Sequence, residues 1–221
     1  MAAAGPVVLS LPMDGPLRVE NSPASRVPSH GTTAFGSAHA IDLVPVGGDG
    51  RSAPRTWRTL TTSERPERFV GFGQPVVAPV AGRIALVHDG EPDHEARRSQ
   101  PSLALYMLGQ RRRALLGAPG LAGNHVAIAI GPHGPFVLLA HLQKHSVTVV
   151  LGQSVRAGDP VARCGNSGNS TEPHLHLQVS NTLDWPDAHG LPLVFAGAGG
   201  STCLPANGLI LAAENRPGPC P

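Results

Sequence analysis

The chain has 221 residues, 41% of them hydrophobic, enough for one domain with a sizeable core. Its formal charge is +2, and the only basic run, Arg111 to Arg113, reads as a solvated face, which argues against a nucleic-acid partner. With 27 glycines and 23 prolines, long helices are disfavoured, and a mainly β fold of short antiparallel strands with long loop insertions is expected.

Met1 to Leu11 is mildly apolar, but it lacks a basic leader and is broken by Gly5 and Pro6, so it is a poor signal peptide. Val7 to Leu11 reads as a short strand, followed by an irregular lead punctuated by Pro16, Pro23 and Pro28. Next come His30-Gly31, a loop rich in Gly, Ser and Thr, His39, and the strand-like Ala40-Ile41-Asp42-Leu43. On a regular strand His39 and Asp42 would face opposite sides, whereas the loop frees His30 from that parity. Residues 45–69 form a polar excursion, with Trp57 and Phe69 expected to pin it. Gly73 to Val87 reads as two short strands joined at Ala81-Gly82, with Ile84 and Leu86 on one face and Arg83, Ala85 and Val87 on the other. Residues 89–120 are a second excursion, partly helical from near Pro101, and read as decoration.

Asn124 to Ile130 alternates, with Val126, Ile128 and Ile130 opposite His125, Ala127 and Ala129. A turn at Gly131 to Pro135 leads into Phe136 to Leu142, which predicts an antiparallel hairpin with His133 exposed at its tip. Ser146 to Val150 and Val155 to Cys164 supply further short strands, and Gly190 to Phe195 one more. The stretch from Ala196 is rich in Gly, Ala and Pro and is expected to fray. No run is long enough to span a bilayer. Cys164, Cys203 and Cys220 lack C-x-x-C spacing and read as inert thiols, with a Cys203–Cys220 bridge as the alternative.

The most informative stretch is Gly165-Asn166-Ser167-Gly168-Asn169-Ser170-Thr171-Glu172-Pro173-His174-Leu175-His176-Leu177-Gln178-Val179. It opens as a turn and continues as a strand from His174, which places His174 and His176 on one face. Paired imidazoles suit a metal, although a bare His-x-His is a weak signal. In full, the stretch resembles the signature of the lysostaphin/LytM family of zinc metalloendopeptidases, G-x-T/S-G-x-S-T-G-P-H-L-H-F/L, with Glu172 where that family usually has Gly. Three further segments fit. Gly73 to Val87 is similar to the family's G-x-x-V-x-A-P-x-x-G-x-V, Ala140-His141-Leu142 to its Y-x-H-L, and Val27-Pro28-Ser29-His30 with Ala40-Ile41-Asp42 to a variant of its H-x-G-x-D.

The resemblance implies a duplicated-hybrid-motif-like β-sheet or sandwich spanning about 26–195, between an N-terminal lead (1–25) and a flexible tail (196–221). It implies Zn2+ held by His30, Asp42 and His176, with His39 as the rival first ligand, and His141 and His174 as catalytic residues. The implied substrate is a peptide bond in peptidoglycan cross-links or glycine-rich peptides. That substrate is extracellular in the family, whereas the sequence by itself reads as cytoplasmic. No H-E-x-x-H is present, so histidines would do the acid–base work. The competing readings are a catalytically silent LytM-like binding or regulatory domain, and a histidine-based carrier of similar β architecture, which would not need Asp42.

Overall fold

The computed structural model describes residues 5–55, 59, 62–98, 117–197 and 200–211. Trp57, the helix expected within 101–116 and Cys220 lie outside these residues. The strands are, in chain order, β1 (Val7–Leu9), β2 (Leu17–Glu20), β3 (Ile41–Pro45), β4 (Pro75–Val77), β5 (Gly82–His88), β6 (Asn124–Ala129), β7 (Phe136–Leu142), β8 (Ser154–Val155), β9 (Pro160–Arg163), β10 (Leu175–Ser180), β11 (Leu193–Ala196), β12 (Thr202–Cys203) and β13 (Ile210–Leu211). A short helix, α1 (Gly117–Ala122), precedes β6.

The fold is mainly β, as expected. Eight strands form one sheet in the order β13-β2-β3-β10-β7-β6-β5-β8, while β4 pairs with β9, and β11 lies between β1 and β12. All pairings are antiparallel except β1 with β11. The predicted β6–β7 hairpin is present. Its parity holds too: Val126 and Ile128 enter the main core with Leu139, Leu175 and Leu177, while Ala127 joins a second cluster with Leu138 and Ala140. Ile130 falls beyond β6 and is exposed.

Several strand expectations need correction. In β5 the register shifts between Ile84 and Leu86. A bulge reverses side-chain alternation, so Ile84 and Val87 pack on the main core and Leu86 on the second cluster. Ser146 to Val150 is not a strand, and β10 begins at Leu175 rather than His174. The lead contributes β2, and the stretch after Ala196 contributes β12 and β13, with Leu211 buried against the core. The inert-thiol reading holds for buried Cys164, whose pKa is pushed up by burial and by nearby Asp93. It does not hold for Cys203, which is disulfide-bonded.

The two excursions interlock. Glu64 and Ala96 exchange backbone hydrogen bonds of 2.9 and 2.7 Å, and buried Glu64 pairs with Arg98 at 2.8 Å. Phe69 packs with Ala53 and Ala96 as expected, under the Arg98 guanidinium at 4.7 Å. The second excursion also holds the glycine-rich loop: Asp93 accepts the Asn166 N–H at 2.7 Å, and the Arg97 N–H donates to Thr171 O at 2.7 Å. Its described part is therefore structural support rather than decoration.

His125 is buried, donates Nδ1–H to Gly123 O at 2.7 Å, and stacks on His88 with ring centroids 5.3 Å apart. Burial, assisted by His88 and opposed by the Gly123 bond and by Glu91, pulls its pKa down to about 4. A folded-state pKa below the unfolded value means that the unfolded chain binds the proton first as pH falls. Stability from a neutral His125 should thus be complete above pH ~6.5 and drain away toward pH ~4, by roughly 3 kcal/mol at most. Denaturant melts of the wild type and His125→Asn at both ends of this window check it: the wild type should lose more stability on acidification, and equal losses would refute the assignment.

Candidate metal and catalytic centre

The centre is built on strand pairing. In the antiparallel register of β3 and β10, Asp42 and His176 lie directly opposite one another. Opposed residues on an antiparallel pair project to the same side, and the His176 Nδ1 sits 2.9 Å from Asp42 Oδ1. His30 arrives on the loop before a short 3-10 stretch, Ala34–His39, with its Nε2 at 3.2 and 3.1 Å from the two Asp42 oxygens. His30, Asp42 and His176 are the one metal-capable group found among the described residues, their ligand atoms lying within 4.8 Å of one another. His39 is not in this group. It ends the 3-10 stretch before β3 begins, so strand parity does not govern it.

Outer partners fix which nitrogen of each ring carries the proton. The Ser29 hydroxyl donates to Ser37 O at 3.2 Å and accepts from His30 Nδ1–H at 3.0 Å, leaving the Nε2 lone pair toward Asp42. The Gln178 amide donates to Phe35 O at 2.9 Å, which orients its Oε1 to accept His176 Nε2–H at 3.0 Å. His176 Nδ1 is then also a lone-pair atom facing the carboxylate. Two imidazole lone pairs and a carboxylate converge, and the Asn21 amide, 2.7 Å from Asp42 Oδ2, is the neighbouring donor. Nitrogen and oxygen donors so arranged fit a divalent ion of the zinc type.

The titration behaviour agrees. Burial opposes ionisation of Asp42, but His174, His30 and His176 outweigh it and hold the carboxyl well below its ordinary value. Burial likewise opposes a charged His176, but its hydrogen bond to Asp42 wins and raises the pKa. Metal entry would displace any proton held between these groups.

His141 and His174 flank the group, their rings 4.8 Å apart. His141 donates Nδ1–H to Ser167 O at 2.9 Å, and His174 donates Nδ1–H to Glu172 O at 2.7 Å. In each ring Nε2 is the nitrogen left facing the centre, that of His174 lying 3.6 Å from Asp42 Oδ1. Burial, together with the positive character of His174 and His176, pulls the His141 pKa well below its usual value, so its ring is neutral near pH 7. His141 also adopts φ 61°, a left-handed conformation costing a non-glycine residue ~1 kcal/mol or more. The loop beneath is tightly packed: at Gly168 (φ 69°) a Cβ would lie 2.3 Å from Gly123 N.

All five residues border a cleft of about 640 Å³, whose walls include Phe35, Leu121, Leu138 and Trp185. Sequence reasoning missed Asn21, Ser29, Ser167, Ser170 and Gln178. Gln178 was within reach, because it lies two residues from His176 on the same strand face. Asn21 and the serines carry no signal of their own.

Residues 109–187 match the model of peptidase family M23, a segment that contains His141, His174 and His176. Over that segment the chain is similar to this family. Among solved structures it is similar to an M23 peptidase from Pseudomonas aeruginosa, at 20% identity and TM-score 0.39, covering 81% of this chain and 48% of that one. The catalytic domain of the antimicrobial peptidase lysostaphin from Staphylococcus simulans gives 20% identity and TM-score 0.37, covering 72% of this chain and 80% of that one. A zinc-containing peptidase from Vibrio cholerae gives 18% identity and TM-score 0.33, covering 63% and 46%. The chain thus spans about half the length of the Pseudomonas and Vibrio proteins. These likenesses are distant, and none of them carries the functional argument. Among the described residues no helix is long and apolar enough to cross a membrane.

Proposed function

We propose that this M23-type domain is a zinc metalloendopeptidase, with His30, Asp42 and His176 as its metal ligands and His141 and His174 as its catalytic residues. The observation that carries this is the meeting of two imidazole lone pairs with one carboxylate, beside two further histidines whose Nδ1–H groups are held by backbone carbonyls. Three protein ligands leave a position open for water, as a catalytic zinc site requires. A zinc ion there would polarise the scissile carbonyl and bring the pKa of its water toward ~7.

The chain's own residues supply the rest. His141, neutral near pH 7, accepts the water's proton at Nε2, with Ser167 O steadying the imidazolium that forms. The His141 imidazolium returns that proton to the leaving amine, while His174, its Nε2 beside Asp42, orients the attacking water by accepting a hydrogen bond from it. The described cleft lining contains no Lys, Arg or Glu. Such a cleft favours uncharged peptide segments, which suits peptidoglycan cross-links or glycine-rich peptides, since charged side chains would lose hydration without finding partners.

Metal analysis of the purified protein and a peptidoglycan digest read by mass spectrometry test the reading together. Near-stoichiometric zinc with cleaved cross-links supports it. Zinc without cleavage of peptidoglycan or glycine-rich peptides favours a silent binding domain, and absence of metal favours a carrier. The first ligand is checked separately: His30→Ala should lose zinc and His39→Ala should keep it. The opposite pattern would transfer the ligand to His39.

A further inference from the structure

The side chain at position 172, where the motif it resembles carries glycine, does not point into solvent. Glu172 Oε2 accepts the hydroxyl of buried Ser52 at 2.5 Å, and Oε1 lies 3.6 Å from Arg18 Nη2. Arg18 is itself fixed, donating Nε–H to Glu20 Oε1 at 2.9 Å and Nη1–H to Gly50 O at 3.2 Å. Ser52 belongs to the first excursion, and its own carbonyl accepts the Val70 N–H at 2.8 Å.

The main chain of the same residue faces the centre. Glu172 O accepts His174 Nδ1–H at 2.7 Å and the Ser170 hydroxyl at 2.8 Å. Pro173 follows and restricts Glu172 to extended conformations, so the direction of this carbonyl depends on how residue 172 is seated. A carboxylate that is only 14% exposed needs its partners in place.

We infer that Glu172, clamped by Ser52 and Arg18, is a positioning residue. It ties the 45–69 excursion to the carbonyl that sets the tautomer and orientation of His174. The excursion then serves the reaction, although none of its described residues lines the cleft. The kinetic part of this inference rests on the peptidase reading above; the geometric part does not.

The test uses the full chain loaded with zinc, comparing Glu172→Ala, Ser52→Ala and Glu172→Gln with the wild type. In wild-type protein, nitrogen NMR of the imidazoles should find His174 as a single Nδ1–H tautomer. In Glu172→Ala the tautomers should average, with zinc content unchanged. The kcat should fall tenfold or more at a KM within about twofold, since small misplacement of a reacting group is costly. Glu172→Gln still accepts from Ser52 and should recover most of the loss, which a merely structural role would not distinguish. If Glu172→Ala fails to fold, Ser52→Ala should show the same tautomer averaging in weaker form. A His174 that keeps its single tautomer in the folded variants would overturn the inference. If the wild type cleaves nothing, the NMR result still decides the positioning role, and only the peptidase reading fails.

Discussion

Asp42→Ala is expected to leave the protein unable to retain zinc through dialysis, and His176→Ala to do the same. Asp42 is the hub of the centre: His30, His174 and His176 all reach its oxygens, at 2.9 to 3.6 Å. Removing the carboxylate leaves two imidazoles and no negative charge to offset an ion's, so too few donors remain for a three-ligand site. His176→Ala removes a ligand and also strands the Gln178 Oε1 that orients it. Inductively coupled plasma analysis of dialysed variants measures the result. Full occupancy in either variant would mean that a different set of side chains holds the metal.

His141→Ala and His174→Ala should behave in the opposite way, keeping zinc while losing activity. Neither belongs to the metal-capable group, although both stand against it. Were His174 a fourth ligand, it would occupy the position that water needs. Its Nδ1–H is committed to Glu172 O and its Nε2 stays outside the shortest contacts with Asp42, an arrangement suited to handling a proton. Removing one positioned acid–base group costs ~10²–10⁴ in rate. Peptide cleavage by the zinc-loaded variants decides the matter. Undiminished turnover in His174→Ala would falsify its role, and a variant lacking zinc would make His174 a ligand.

Much of this centre could be read from residue order, because local physics and the motif agree there. Strand alternation placed Val126, Ile128 and Ala127 on their correct faces, and i, i+2 spacing put His174 and His176 together. Reasoning failed where distant chain decides. Leu17-Arg18-Val19-Glu20 does alternate apolar and polar, but four residues between prolines are too short a signal to stand alone; β2 is held by β3 and β13 on either side. The bulge in β5 turned Leu86 away from the face that simple alternation gave it. The choice between His30 and His39 hung on a loop whose path periodicity cannot trace. Glu172 looked like a mere departure from a pattern, since Ser52 and Arg18 lie 120 and 154 positions away.

The pairing of Asp42 with His176 joins strands whose facing residues are 134 positions apart. Closing so long a segment is expected late in folding, because its entropy must be met before the contact gives any return. The proposed ligand set would therefore be absent from early, locally folded intermediates, and binding free energy for an ion would be gained only once β3 and β10 meet. Uptake of metal is in that sense a timer: a refolding chain should acquire zinc in step with its slowest structural phase, and a fragment limited to residues 109–187 would lack both His30 and Asp42.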